Sequence, residues 1–237
     1  MLRIIDARTG EPADAAPAHR GLTLVQAHAA GSGPTDLRVL LVADLLVRAL
    51  EIGGSVVSAS LDAGQFQPEL RAGAAALGMR PFEAGPAPGL DGSRVVHVAA
   101  EGGSAPDGPR IAVAPASGPG PADLPDPAAL RLALLTRHHG TPVRLGPAAL
   151  EEAADTLARW RDAVARWARS PSRPVPEDVR RRLREAWEHD LDLPAVLDVL
   201  RRVETGPEVP DGARFETYAH ADRLLGLDLT AGLGSSS

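Results

Sequence analysis

The hydrophobic pattern changes character near residue 126. Upstream, short runs of branched residues alternate with Gly/Pro stretches, and residues 2–6 (LRIID), 22–28 (LTLVQAH), 55–61 (SVVSASL), 94–99 (RVVHVA) and 111–114 (IAVA) read as strands. Residues 35–51 are apolar on most sides. Only Arg38, Asp44, Arg48 and Glu51 form a polar edge, as on a helix laid against a sheet. Thr35 or Asp36 is placed to cap that helix, and Gly53-Gly54 ends it. Strand, helix, strand in this order predicts a parallel pair. A further helix is expected over 66–78, with loops over 7–21, 29–34, 84–93, 100–109 and 115–125.

Downstream the period is helical throughout. Asp126-Pro127 starts a helix carrying Leu130, Leu134 and His138 on one face, ended by Gly140 and the Thr141-Pro142 turn. Pro147 opens a longer helix with Leu150, Ala153, Leu157, Trp160, Val164 and Trp167 on one stripe, stopping at Ser170-Pro171. Pro176 opens another with Val179, Leu183 and Trp187 (or Ala186) inward. Pro194 opens a third with Val196, Leu197, Leu200 and Val203, and Phe215, Tyr218 (or Ala219) and Leu225 mark a last one. Four such helices make a bundle. The expected divisions are an α/β domain with a mainly parallel sheet over 1–125, a junction helix and turn over 126–146, an all-α four-helix bundle over 147–230, and a disordered tail over 231–237.

Composition narrows the chemistry. With no cysteine there are no disulfides, thiolate zinc sites or catalytic thiols. All 25 basic residues are arginine, so no lysine is present to cradle a phosphate, form a Schiff base or act as a base. The net charge of −6 argues against broad nucleic-acid binding. Met1-Leu2-Arg3 leads into a strand rather than a secretory leader, and no run reaches the about eighteen apolar residues of a membrane span. A cytoplasmic protein without membrane contact is expected.

Several short stretches resemble cysteinyl-tRNA synthetases and the related mycothiol-pathway cysteine ligase. Ala129-Leu130-Arg131 matches the end of the Asp-Ala-Leu-Arg signature that names the family's helical bundle. Thr136, His138, Thr141 and Pro142 sit as in its Ser-x-His-x-x-Ser-Pro turn. Glu185-Ala186 with His189–Pro194 resembles its acidic run before a proline, and Leu224–Leu227 its closing segment. Leu2–Gly10, residues 40–53, and Ala76-Leu77-Gly78 with Pro81 resemble parts of its core. The resemblance implies a reduced class I synthetase-like, Rossmann-like nucleotide-binding domain joined to that bundle, with the ligand at the carboxyl ends of the strands. It also shows what is missing. Gln26 stands where the family has a zinc-binding cysteine. Gly33-Pro34-Thr35-Asp36 aligns with its His-x-Gly-His adenylate signature, and residues 112–120 with its Lys-Met-Ser-Lys-Ser loop. A carboxylate at Asp36 opposes an anion there.

The expectation is therefore a catalytically degenerate relative, acting as a binding or regulatory module for tRNA, a nucleotide or a partner protein. An ATP-dependent carboxylate-activating ligase with divergent signatures and a non-catalytic subunit of another enzyme are the alternatives. No catalytic residue is assigned. The nucleotide-pocket remnant comprises His28, Gly31, Ser32, Gly33, Thr35 and Asp36, a Gly-x-Gly loop before a helix N-terminus. No cofactor is expected, with ATP or an adenylate the possible ligand and zinc excluded. Nine of the 25 arginines fall between Arg159 and Arg184, opposed inside that window by Asp162, Glu177 and Asp178, and Arg173, Arg180, Arg181 and Arg184 are the candidate RNA contacts. No metal site is expected. His138 and His139 are adjacent and would diverge on a helix, and Glu188, Asp190 and Asp192 read as caps for the Pro194 helix.

Overall fold

The computed structural model describes residues 1–16, 21–85, 93–231 and 233. The chain opens with a hairpin that the loop-like composition of 7–21 concealed: β1 (Arg3–Asp6) pairs antiparallel with β2 (Glu11–Asp14). Then come β3 (Leu22–His28), α1 (Pro34–Ile52), β4 (Val56–Asp62), α2 (Gln67–Ala76), β5 (Glu83–Ala84), β6 (Arg94–Ala100) and β7 (Arg110–Val113). A two-residue pair, β8 (Ala116–Ser117) with β9 (Val143–Arg144), brackets α3 (Pro127–Leu135). Among the described residues the last elements are α4 (Pro147–Trp167), α5 (Glu177–Glu188), α6 (Leu193–Thr205) and α7 (Asp211–Leu225). Most of the expected tail lies outside the described residues, as do 17–20 and 86–92 of the expected loops.

Five strands form one sheet in the order β5-β4-β3-β6-β7, every pair parallel. This is a Rossmann-like α/β arrangement, followed by a helical region. The chain steps outward from β3 to β4 and β5, then crosses back to β6 and β7. The order therefore reverses between β3 and β6, and their carboxyl ends flank the crevice where such sheets take ligands.

Strand alternation gives the sheet two unlike faces. Val25, Ala27, Leu61, Val96 and Val98 point to one side and are fully buried in the core with α1. Gly73 of α2 approaches α1 closely: a Cβ there would stand 2.6 Å from a Leu37 methyl. The register pairs Gln26 with Ser60 and His28 with Asp62, which places these four on the opposite face together with His97. That face is covered by the 101–109 loop, whose Gly103 and Ala105 carbonyls accept from Arg110 Nη1 and Nη2 at 3.3 and 2.7 Å. The hairpin seals the β7 edge, where Ala7 N–H donates to the Arg110 carbonyl at 2.8 Å.

Two residues of the polar edge of α1 are almost completely buried. Asp44 accepts from Arg131 Nη2 at 2.7 Å and Arg48 Nε at 2.9 Å. Arg131, 0 % exposed, also donates to the Leu225 carbonyl at 2.6 Å and the Leu77 carbonyl at 3.0 Å. One guanidinium thus joins α1, the end of α2, α3 and the end of α7. Gly226 has φ +61, and a Cβ there would meet Arg131 Nη2 at 2.8 Å, so both its conformation and its lack of a side chain are required. Arg38 is the other, 1 % exposed: it donates to the carbonyls of Ala114 (2.9 Å), Thr141 (2.8 Å) and His138 (2.8 Å). With no carboxylate paired to it among the described residues, burial brings its pKa down to about 10.

Two boundaries differ from expectation. Thr35 does not cap α1: Gly33 holds the cap position, and Thr35 Oγ1 donates to the Ala116 carbonyl at 3.1 Å and accepts its N–H at 3.0 Å, tying α1 to β8. Helix α3 ends at Leu135, so His138 lies in the following turn. The helical region packs as its stripes predict, with Leu157, Trp160, Val164, Trp167, Leu183, Trp187, Leu200 and Tyr218 buried. Tyr218 donates to the Leu200 carbonyl at 3.0 Å and meets Trp160 and Trp167 edge-on at 5.5 and 5.1 Å. No described helix is long and apolar enough to cross a membrane.

Replacing Arg131 by Met is expected to cost about 3–5 kcal/mol, because Leu77 and Leu225 keep buried carbonyls without their donor and Asp44 loses its fully buried partner. Arg180→Ala, which removes an exposed ion pair with Glu177, should stay within about 0.5 kcal/mol. Urea midpoints of the two variants measure the contrast; equal midpoints would show that the buried guanidinium is not a structural tie.

Candidate functional site

At the switch point His28 ends β3 and His97 lies within β6, one residue pair lower on the same face. His28 Nε2 and His97 Nδ1 are 2.9 Å apart, and His28 Nδ1 is 3.7 Å from Asp62 Oδ2 at the end of β4. The crevice above them, of about 460 Å³, is lined by His28, Ala29, Asp62, Ala99, Ser104 and Pro106 among others. Gly108, at φ +148, presses the loop onto the His97 ring, where a Cβ would stand 3.1 Å from Cδ2. Ser60 Oγ, on the same face one pair below Asp62, is buried without a hydrogen-bond partner.

The electrostatics favour neutral rings. Burial, reinforced by His28, Arg110 and Arg8, brings His97 to about 4 despite the nearby Asp107 carbonyl. Burial also lowers His28, outweighing the Asp62 carboxylate. An N–H···N bond between two imidazoles needs one ring to present a lone pair, so the pair resists double protonation. Among the described residues no arginine lines this crevice, and the nearby Arg110 guanidinium turns onto loop carbonyls. The lining offers imidazole, carboxylate and hydroxyl groups, a set that hydrogen-bonds small polar groups and gives no cationic support to a phosphate.

The rest of the loop before α1 is turned inward. Asp36 Oδ1 accepts the N–H groups of Ala30 and Gly31, both at 3.1 Å, and Oδ2 accepts that of Gly33 at 3.2 Å. The backbone donors that such a loop would offer to an anion are held by a carboxylate of its own helix. Ser32 is exposed at the loop's tip. The structure therefore brings His28 into the crevice with two partners that sequence reasoning missed, His97 and Asp62, while Gly31, Gly33 and Asp36 close on one another. A histidine in an otherwise apolar strand, at the parity that faces His28, was the available signal.

The arginine cluster is better compensated than its window suggested. Arg159 pairs with Glu204, Arg161 with Asp126, Arg180 with Glu177, Arg181 with Glu185 and Arg182 with Asp178. Three of these carboxylates, Glu204, Asp126 and Glu185, lie outside the 159–184 stretch and reach it by folding or helix spacing. Among the described residues Arg173 and Arg184 have no carboxylate partner, so the four candidate RNA contacts divide into two paired and two free.

The histidine pair after α3 corrects a premise. His138 and His139 sit in a turn, not on a helix, and both aim Nε2 at Asp190, 3.0 Å from its carbonyl oxygen, with the rings 4.1 Å apart. Asp192 does cap α6, accepting from Ala195 N–H at 3.0 Å. Asp190 does not: its backbone is left-handed at φ +51, and Oδ1 accepts the Ile5 N–H of β1 at 2.8 Å.

Fold and site together describe an open parallel α/β sheet with a polar crevice at its switch point, buttressed by helices. No known protein-family pattern matches the chain. Comparison with individual proteins finds L-cysteine:1D-myo-inositol 2-amino-2-deoxy-alpha-D-glucopyranoside ligases. That of Streptomyces scabiei is 39% identical over 108 residues, 44% of this chain and 25% of the ligase. That of Streptomyces griseus is 41% identical over 110 residues, with the same shares. The ligase of Acidothermus cellulolyticus is 38% identical over 104 residues, again 44% and 25%. The chain is thus homologous to cysteine ligases related to cysteinyl-tRNA synthetase, as its short stretches indicated, and the match spans about a quarter of the length of these relatives.

The lowered histidines set a pH window. In the unfolded chain His97 titrates near its ordinary 6.5 and in the fold near 4, so between these values the unfolded state holds more protons and stability falls as pH falls. The contribution is complete above about 6.5 and lost on approach to 4. His97→Gln, which cannot protonate, should flatten the loss between pH 6.5 and 4.5 in denaturant midpoints; an unchanged slope would contradict the buried, neutral pair.

Proposed function

We propose that this chain is a relative of the cysteine ligases that binds a small polar ligand in its switch-point crevice without adenylating it, and serves as a binding or regulatory module. The observation that carries the reading is Asp36, whose carboxylate holds the Ala30, Gly31 and Gly33 N–H groups at the mouth of α1. An adenylating enzyme needs donors and cations there for the phosphates; here a negative charge occupies the donors, and the chain has no lysine. No cofactor is required by this reading, and ATP or an adenylate is the ligand to test first.

Two other readings have specific support. The His28–His97 pair with Asp62 is an acid–base set in a crevice, and it favours a ligase with divergent signatures. The free Arg173 and Arg184 favour contact with tRNA or an acidic partner protein, including a role as a non-catalytic subunit. A salt-dependent tRNA shift weakened by Arg173→Glu and Arg184→Glu separates RNA from protein partners.

The deciding experiment is ATP–pyrophosphate exchange with cysteine and the other amino acids, alongside thermal shift with ATP, cysteine and a sulfamoyl adenylate mimic. The expected result is no exchange and no stabilisation by ATP in the wild type, with stabilisation by ATP appearing in Asp36→Ala as the donors are freed. Exchange by the purified wild-type chain would overturn the proposal.

A further inference from the structure

A second cluster of chemically able side chains lies away from the crevice, where the turn after α3, the α5–α6 connection and β1 meet. His138 Nε2 and His139 Nε2 are 3.5 and 3.4 Å from Asp190 Oδ2, and one ligand atom from each of the three residues lies within 4.8 Å of the others. In tetrahedral coordination with bonds of about 2.0–2.1 Å, ligand atoms stand about 3.3 Å apart. The two nitrogen–carboxylate separations are close to that value.

The cluster is held from outside, as metal ligands generally are. Asp190 Oδ1 is engaged by Ile5 N–H and the Asp190 N–H by the Arg3 carbonyl at 2.9 Å, which leaves Oδ2 turned to the imidazoles. Asp190 and Leu191 both carry positive φ, 51° and 53°, a conformation non-glycine residues adopt only when the surroundings impose it. Arg38 fixes the turn bearing the rings through the His138 and Thr141 carbonyls. His139 is 8 % exposed, whereas the His138 side chain is 31 % exposed and leaves a way in from solvent.

We propose that His138, His139 and Asp190 bind one divalent transition-metal ion of the zinc type, with water completing the coordination. Two imidazoles and one carboxylate suit Zn²⁺, Co²⁺ or Ni²⁺ and disfavour Mg²⁺ and Ca²⁺, which take oxygen ligands. Without an ion, each Nε2–H rests on the Asp190 carbonyl. On binding, each ring proton moves from Nε2 to Nδ1 and the Nε2 lone pair takes the metal, so neutral rings lose no net proton. At His138 this turns away the Gly140 N–H, now 3.2 Å from Nδ1, in an exposed turn that water reaches. At His139 the new N–H arises at a buried Nδ1 that has no partner, which sets the affinity below that of a fully supported zinc site. The ion's role is a staple: it would cross-link the α3 turn, the α5–α6 connection and, through Ile5, the first strand.

The test uses the full chain, free of any histidine tag and stripped with a chelator. Titration with Co²⁺, read by its visible absorption, and with Zn²⁺, read by calorimetry and thermal melting, should give one ion per chain, a tetrahedral spectrum and a raised melting temperature. Mg²⁺ at the same concentration should give no shift. His139→Ala and His138→Ala should each weaken binding at least tenfold while His28→Ala leaves it unchanged, with far-UV circular dichroism checking the fold. Absence of stoichiometric Zn²⁺ or Co²⁺ binding in the wild type, or equal binding by the His138→Ala/His139→Ala double variant, would overturn the proposal.

Discussion

The guanidinium of Arg131 is the constraint on which the remaining structure depends. A charge with 0 % exposure is tolerable only if it is well partnered, and each of the three nitrogens of Arg131 finds an acceptor: on α1 (Asp44), at the end of α2 (Leu77) and at the end of α7 (Leu225). These partners lie up to 94 positions from Arg131 in the chain, on both sides of it. An apolar side chain of equal volume would fill the space but would not specify which carbonyls meet there. The buried cation fixes how the helical region seats on the sheet, and it requires a glycine at 226 to approach so closely. Arg38 does the same at the other junction using carbonyls alone, which fixes the turn that presents His138 and His139.

This seating determines which sheet face is available for chemistry. Helix α1 covers the aliphatic face, and the 101–109 loop with the N-terminal hairpin covers the face that carries Gln26, His28, Ser60, Asp62 and His97. A loop is a thinner cover than a helix and leaves an opening at the carboxyl ends of β3 and β6. The opening is lined by the His28 imidazole and the Asp62 carboxylate. The Arg110 guanidinium close by is spent on the loop's own carbonyls.

Much of this was legible in the sequence, and the failures share a cause. Branched runs located β3, β4, β6 and β7, and the period of apolar residues located the helices with their inward Trp160, Trp167 and Trp187. Local capping rules found Asp126 and Asp192. Periodicity misread charged residues whose partners are distant. Arg38 and Asp44 look like a solvent edge because their neighbours on α1 are apolar, and only the fold supplies the carbonyls and Arg131 that bury them. The same holds for His97, which faces His28 across 69 positions, and for Asp190, whose strained backbone is invisible without β1. The β1–β2 hairpin was hidden because Glu11–Asp14 is a polar edge strand, placed by its partner rather than by propensity.

The treatment of negative charge links these parts. An open parallel sheet concentrates backbone N–H groups at the start of the helix after its first strand, and a protein handling phosphates leaves those groups free for its ligand. Here Asp36 binds three of them at 3.1–3.2 Å, so a phosphate arriving at the same place would have to displace a tethered carboxylate and then face its charge. A tethered group acts at far higher effective concentration than a free ligand, so competition favours the aspartate. The crevice beside it retains hydrogen-bonding capacity through His28, Asp62 and Ser104. The groups that would meet a phosphate and those that line the pocket therefore reside on different residues: the former on the loop that Asp36 closes, the latter on the strand ends that carry His28 and Asp62.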